Sequence, residues 1–451
     1  MTEAKKLKAE RTKLFEDIYD GIIPQRVPRN AGLSVEFTIQ YAGLPLAETQ
    51  YTLEGIEEAF EKICQLQCMD AHPIGFVKPP LHWQILGSRS FQMSSSGFVQ
   101  HPEFSPMQPD EYDELIANPL DFFLEKIHPR VYTELDTDPI TRSFIFAAAL
   151  KANEDHMNTF ARISDKLAEK YGFFVPPKGT TPLTFAPFDY LANWLRGFTG
   201  VCIDIRRQPE KVSQACEAIL AMLMRSCIPE RPSRYGHTLI PLHMAPYLSE
   251  KDFEKFYWPT FYKMVWALAE AGQPARIACE HDWMRYLDYL QELPPQTRII
   301  FEFGDPKLVK KKLGKKFILS GFYPLTLLQT GTKEQCIDKA KELLDILAPG
   351  GNYIFGFDKG ALSLDNINME NYLAVMNYIG ENAYYDNAGE SSLDFTPVTP
   401  PKIEIPKLKS KYDFDWEVYK KRHPNFLPHL EPLMKQQMEK YRKIALEFLS
   451  Y

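Results

Sequence analysis

Apolar positions recur along this chain at two spacings. In the second half, short apolar runs are each followed by a polar or glycine-containing turn and then by residues with helical spacing. TLIPLHM (238–244) precedes a helical stretch over 251–272, and ARIACEH (275–281) precedes one over 282–293. RIIFEFGD (298–305) precedes PKLVKKKLG, FILSGFYP (317–324) precedes TKEQCIDKAKELLDIL, and NYIFGFDKG (352–360) precedes MENYLAVMNYIGENA. Near-continuous apolar strands suit a sheet covered on both faces, and parallel strands need crossover helices. The alternatives are a closed eight-stranded barrel and an open doubly wound sheet. No G-x-G-x-x-G follows a strand and no G-x-x-x-x-G-K-[ST] occurs, which favours the barrel.

The first half is less regular. The spacing predicts a helix over 1–20, a proline- and glycine-bearing loop after it, and a helix over 52–68 with Thr52 and Glu54 near its start. Residues 74–110, rich in Pro, Ser and aromatics, read as a long ordered insertion of the kind that builds a lid or pocket wall. Helices are expected over 140–172 and over 206–228, the latter with Pro209 and Glu210 in its first turn. After residue 390 a proline-spaced arm leads to a charged helix over 427–450. The expected architecture is an α/β (β/α)8 TIM-type barrel over 121–390, a helical and loop extension over 1–120, and a C-terminal arm plus helix over 391–451. The arm either wraps the barrel or contacts a partner subunit, as in a homodimer.

Composition narrows the function. Hydrophobic residues at 45% and charged residues at 25% of 451 suffice for a sizeable core, which excludes disorder. With 52 basic against 59 acidic residues and no long basic tract, nucleic acid is not an expected partner. No apolar stretch reaches the roughly 18 residues of a membrane helix, and the first residues lack the apolar centre of a signal peptide. A cytoplasmic protein without membrane contact is expected. Seven cysteines, an odd number, argue against a disulfide framework. Cys64 and Cys68 fall on one helix face, as core thiols or as half of a metal site.

In a β/α barrel the reactive groups stand where strands end. These ends read Leu242-His243, Cys279-Glu280-His281-Asp282, Glu302-Phe303-Gly304-Asp305, Gly321-Phe322-Tyr323 and Phe357-Asp358. Two residues apart on an extended strand, Cys279 and His281 would share a side. Thiolate and imidazole suit zinc, and Glu302 on the next strand would complete a three-ligand set with an open position. The other reading is a core cysteine beside a rim histidine. His243 is a further ligand candidate; His243, Glu302 and Tyr323 are the candidate catalytic groups. Tyr235-Gly236-His237 is a loop or a proton shuttle, and Phe185, Tyr190 and Trp194 surround a proline-rich turn. The lysines at 310–312, 315 and 316 form a basic face, solvated or docking an acidic partner.

Gly21-Ile-Ile-Pro24-Gln-Arg26-Val-Pro28 resembles the segment after the first helix in the uroporphyrinogen decarboxylase superfamily. Leu248-Ser-Glu-Lys-Asp-Phe253 through Trp258-Pro259, the Gly272-Gln-Pro274 turn, Gly331-Thr332 and Pro349-Gly350-Gly351-Asn352 are similar too. The resemblance spans roughly 20–390 and implies a β/α barrel with its cleft at the C-terminal rim. The decarboxylase branch is similar in an arginine-rich loop, which Pro28-Arg29-Asn30-Ala31-Gly32 matches in part, without its second arginine. The other branch contains cobalamin-dependent methyltransferases, some holding zinc by H-x-C and a later cysteine; here Cys279-x-His281 exchanges the two.

The resemblance therefore implies the methyltransferase component of an O-demethylase system. It would move a methyl group from a small methylated substrate, an aryl methyl ether for example, to the Co(I) corrinoid of a partner protein, with zinc as Lewis acid. Trp83, Phe185, Tyr190, Trp194 and His237 would contact that substrate. The alternatives are a metal-free decarboxylase or lyase using Arg26 and Arg29, and a barrel that binds a ligand without turning it over.

Overall fold

The computed structural model describes residues 2–75, 77–396 and 398–448. It is a mixed α/β structure in which many helices surround a parallel sheet. A short antiparallel hairpin, β1 (Gln92–Met93) and β2 (Val99–Gln100), lies apart from that sheet. The sheet has the order β3 (Thr238–Leu242), β4 (Ala275–Asp282), β5 (Arg298–Phe303) and β6 (Ile318–Gly321), with every pairing parallel. Each strand is followed by helix, as the alternation of apolar run and helical spacing predicts.

Single parallel bridges continue the sheet at both edges. Leu183 pairs with Leu239 on one side; Tyr353 with Leu319 and Phe357 with Tyr323 on the other. Beyond these, Phe355 bridges Arg29, Leu33 bridges both Ala361 and Ile74, and Ala71 bridges Phe174. The segments 29–33 and 70–74, expected in the N-terminal extension, thus pair with the strands of the body. The strand expected over 352–360 is reduced to isolated bridges.

The core is continuous and aromatic-rich. Trp283, Tyr257, Tyr286, Phe253 and Tyr323 are all essentially inaccessible. Alternation sorts β4 and β5 into two faces: Ala275, Ile277 and Cys279 are buried together with Ile299 and Phe301, while Arg276, Ala278 and Glu280 share the other face with Arg298, Ile300 and Glu302.

Local chemistry sets the helix ends. Asp138 accepts from the amides of Ile140 and Thr141 to start Pro139–Tyr171, which Gly172 ends at φ 71°. A Cβ on Gly172 would lie 2.5 Å from the Ala4 carbonyl, so both the left-handed backbone and the close approach of the first helix, Glu3–Tyr19, require glycine. The helix expected over 52–68 is divided: Leu53 and Gly55 are left-handed, ending Leu46–Thr52 and opening Ile56–Cys64. Thr52 therefore lies in the last turn of one helix and does not cap the next. Cys64 and Cys68 are buried, and burial pushes their thiols up to about 12 and about 11. They are core thiols.

Arg11, Arg26 and Arg29 converge on Asp70, which is inaccessible. Arg26 makes a two-pronged pair at 2.7 and 2.6 Å, and Arg29 adds its amide and side chain. The C-terminal arm lies on its own chain: Asn118 donates to the Lys409 carbonyl, Arg225 pairs with Asp413, and Phe448 packs near His82 and Phe146. Among the described residues no helix is long and apolar enough to cross a membrane.

Candidate active site at the C-terminal ends of the strands

The parallel ladder ends at Leu242 and Cys279, and the next residues leave it in different ways. After β3 the chain turns, and the amides of His243 and Met244 donate to Asp189, at 3.2 and 2.8 Å. Asp189 belongs to the short helix Pro187–Tyr190 and also accepts from the Tyr257 hydroxyl at 2.6 Å. Burial pushes its carboxyl up to about 6 despite these donors and the nearby His243. β4 meanwhile shifts register against β5 between Cys279 and Asp282, and His281 is left-handed at φ 58°. A break of this kind re-aims side chains at a sheet end.

One residue beyond the last pair of the β3–β4 ladder, Leu242 with Cys279, Glu280 meets His243. Its Oε2 lies 2.7 Å from His243 Nδ1. Burial opposes protonation of this imidazole, but the Glu280 hydrogen bond and the charges of Asp189 and Glu280 prevail, and its pKa lies above the ordinary value. With Nδ1 on Glu280, Nε2 is the nitrogen free to act on a ligand.

Glu302 stands on the same face, one strand away. It accepts the His281 amide at 2.8 Å and pairs with Lys359 at 3.3 Å. Burial disfavours its charge, but these two partners outweigh that and hold the carboxyl below its usual range.

The cysteine, histidine and glutamate expected to bind zinc are not gathered. Cys279 is on the opposite face from Glu302, beside Ile277 and Phe301, and burial drives its thiol well above the ordinary value. The C-x-H spacing places two residues on one side only if the strand stays extended, and the left-handed His281 ends that regularity. His281 is exposed, its Nε2 3.2 Å from the Tyr247 hydroxyl. Among the described residues no three His, Cys, Asp or Glu side chains are grouped to hold a metal. A buried neutral thiol turned away from its two supposed co-ligands does not fit zinc.

Two further expectations fall elsewhere. Tyr323 is inaccessible and donates to the Cys336 carbonyl at 2.9 Å, behind the strand and away from the rim. His237 precedes β3 at the other end of the sheet, where Arg298 approaches its Nδ1 at 3.2 Å. Period-2 reading gives a residue's face, but His237 lies outside the strand at its N-terminal end.

The aromatic candidates do meet. Trp194 packs against Phe185 and Tyr190 with ring centroids 5.8 and 6.2 Å apart, and Trp83 joins them through Phe91, which it stacks at 4.3 Å. The Trp194 indole N–H is buried without a hydrogen-bond partner. His101, in the insertion, stacks on Phe91 at 4.7 Å and extends the cluster to within electrostatic reach of His243. Its Nδ1 faces the Ser90 carbonyl at 2.6 Å and so carries the proton, while burial lowers its pKa. His101 thus belongs to the aromatic cluster and feels the charge of His243, and the two imidazoles have pKa values pushed in opposite directions. Asp189, Glu280 and His101 went unrecognised as functional in the sequence, whereas Phe91 is among the aromatics of 83–104 expected to wall a substrate ring. Strand parity alone would have placed Glu280 beside its neighbour's end.

Arg26 and Arg29, the groups a decarboxylase would turn to its substrate, are spent on Asp70 at the N-terminal ends of their segments.

No family model matches the chain, and no curated protein matches its sequence. Among solved structures, a methyltransferase from Methanosarcina mazei superposes with a TM-score of 0.51 at 15% identity, covering 82% of this chain and 98% of that one. The two share a fold.

Proposed function

We propose that the chain is a methyltransferase that takes a methyl group from a small methylated aromatic, an aryl methyl ether for example, and passes it to the corrinoid of a separate protein. In this reading the ring of parallel pairings closes as a (β/α)8 barrel, with the reaction at its C-terminal mouth. The single observation that carries the proposal is the His243–Glu280–Asp189 arrangement at the C-terminal ends of the strands. The shared fold and the resemblance of the segments around 21–28 and 248–274 support it.

Breaking the bond from methyl carbon to ether oxygen leaves an electron pair on that oxygen, which becomes a poor phenolate unless a proton arrives. His243 in its protonated form, which the Glu280 contact favours, would donate it from Nε2, giving the phenol and a neutral imidazole. Glu280 keeps Nδ1 occupied and the ring oriented, while Asp189 fixes the turn that carries the histidine. Trp194, Phe91 and Trp83 would wall the substrate ring and keep water from the reacting oxygen. The partner's reduced corrinoid, when bound, supplies the nucleophile that accepts the methyl group. Exposed apolar side chains around the mouth, with Tyr247 55%, Phe303 65% and Leu362 50% exposed, fit the docking of such a partner.

The test mixes the purified protein with a reduced corrinoid protein and a methoxylated phenol and follows the Co(I) absorbance. Loss of that absorbance with release of the phenol is expected. No change with any methyl donor tried, beside an active control system, overturns the reading.

A further inference from the structure

At the opposite end of the sheet two arginines stand side by side, neither forming an ion pair among the described residues. Arg276 and Arg298 are register partners on β4 and β5 and share the face that carries Glu280 and Glu302 at its far end. Arg298 is 5% exposed. Its guanidinium donates to the Arg234 carbonyl at 2.6 Å and approaches neutral His237 at 3.2 Å, so two of its five N–H donors are engaged. Its Nε has no partner. The Tyr19 ring covers one face at 3.5 Å, a cation–π contact that offsets only part of the cost of burying the ion. Arg276 is half-buried, with no hydrogen bond or ion pair to its side chain among the described residues. Burial, with Arg276's charge added, lowers Arg298 to about 10, showing how poorly its charge is compensated.

Arg298 borders a cavity of about 270 Å³. Its wall is formed by Arg298, Arg234, Gln296 and Tyr19 on the polar side and Ile318 and Leu393 on the apolar side. The Gln296 side-chain oxygen is buried without a partner. Asp20, the carboxylate at this cavity, is already engaged by Arg234 at 2.9 Å and by the Tyr235 hydroxyl at 3.1 Å.

We infer that this cavity, at the N-terminal ends of the strands, binds a small organic anion whose carboxylate or phosphate group meets the Arg298 guanidinium while its apolar part lies against Ile318 and Leu393. A guanidinium with donors to spare matches either oxyanion in a two-pronged contact. The cavity volume limits the ligand to a small molecule. The site is separate from the His243 rim and does not depend on the proposed methyl transfer.

Titration calorimetry of the full-length protein at constant ionic strength, with benzoate and inorganic phosphate as probes, tests the inference. Saturable binding of benzoate identifies a carboxylate head, and binding of phosphate identifies a phosphate head. Either supports the site, provided that affinity drops about tenfold in Arg298→Met. Because Arg298 also holds the Arg234 carbonyl, Arg234→Gln is the second variant; its side chain is 66% exposed, so the fold tolerates the change, and a severalfold drop is expected. Absence of heat with both probes, or unchanged affinity in Arg234→Gln or in a folded Arg298→Met, overturns it.

Discussion

His243 Nδ1 and Glu280 Oε2 stand 2.7 Å apart, each one residue beyond the last paired positions of two neighbouring parallel strands. One strand ends in a turn held by Asp189 and the other in a left-handed break. Replacing His243 by Gln keeps the volume and removes the proton donor. Methyl transfer to the reduced corrinoid should fall by about 10²- to 10⁴-fold with substrate affinity little changed, measured as the rate of Co(I) loss against substrate concentration.

The pH dependence follows from the same pair. An acid must be protonated, so the rate should fall as pH rises through the elevated pKa of His243. Glu280→Gln removes the largest influence raising that pKa, and the falling limb should move to lower pH. Stability has the same sign: a raised histidine pKa stabilises the fold below its unfolded value of about 6.5, and this is lost as pH rises through the folded one. The difference in melting temperature between the unchanged protein and Glu280→Gln should therefore be larger at pH 6 than at pH 9.

Cys279→Ala separates a core thiol from a metal ligand. The side chain is 1% exposed and packs on the face opposite Glu302. Elemental analysis should find the same metal content in the variant and the unchanged protein, while urea unfolding should show a loss of about 1–2 kcal/mol. Zinc that disappears with Cys279 would restore the ligand set the structure does not gather.

Asp70→Asn strips the one carboxylate from between three arginines. Removing a single partner from a buried ion cluster costs about 3–5 kcal/mol, because the opposite charges stay buried. Denaturant titration should show a loss of that size. Burial works against the Asp70 charge, but Arg26 and Arg29 overcome it and hold the carboxyl far below its usual range. Its stabilisation is thus complete above about pH 4 and lost only as pH falls through the lower folded value.

The strands β3 to β6 were legible because buried parallel strands are nearly continuous apolar runs, and a polar or glycine-containing turn marks the end of each run. The helix over 140–172 was legible from its cap and terminal glycine. Residues 353–357, equally apolar, form bridges without a continuous ladder, a distinction made by neighbouring segments and invisible in local composition. The rim was harder. Cys279 and His281 were read as one face because alternation was carried through His281, whereas that residue's φ of 58° breaks it. His101 and Phe91 sit in an insertion without periodicity, so nothing local predicts that they reach Trp194. The pairing of Arg276 with Arg298 needed the register between strands, which no single strand encodes.

The bridge from Leu33 to Ala361 has a consequence for the growing chain. Close by, the Ser34 hydroxyl meets the Leu362 carbonyl, 328 residues later in the sequence. At a synthesis rate of roughly 5–20 residues per second, the early segment 29–33 waits tens of seconds for the partner that completes its edge. Until then the apolar side chains beside it, Val27, Phe37 and Ile39 among them, have no finished core to enter. This protein is born with one edge of that segment unpaired, since only its neighbour at Ile74 is made early, and its exposure to aggregation or to chaperones is set by the translation speed over the residues between Ser34 and Ala361.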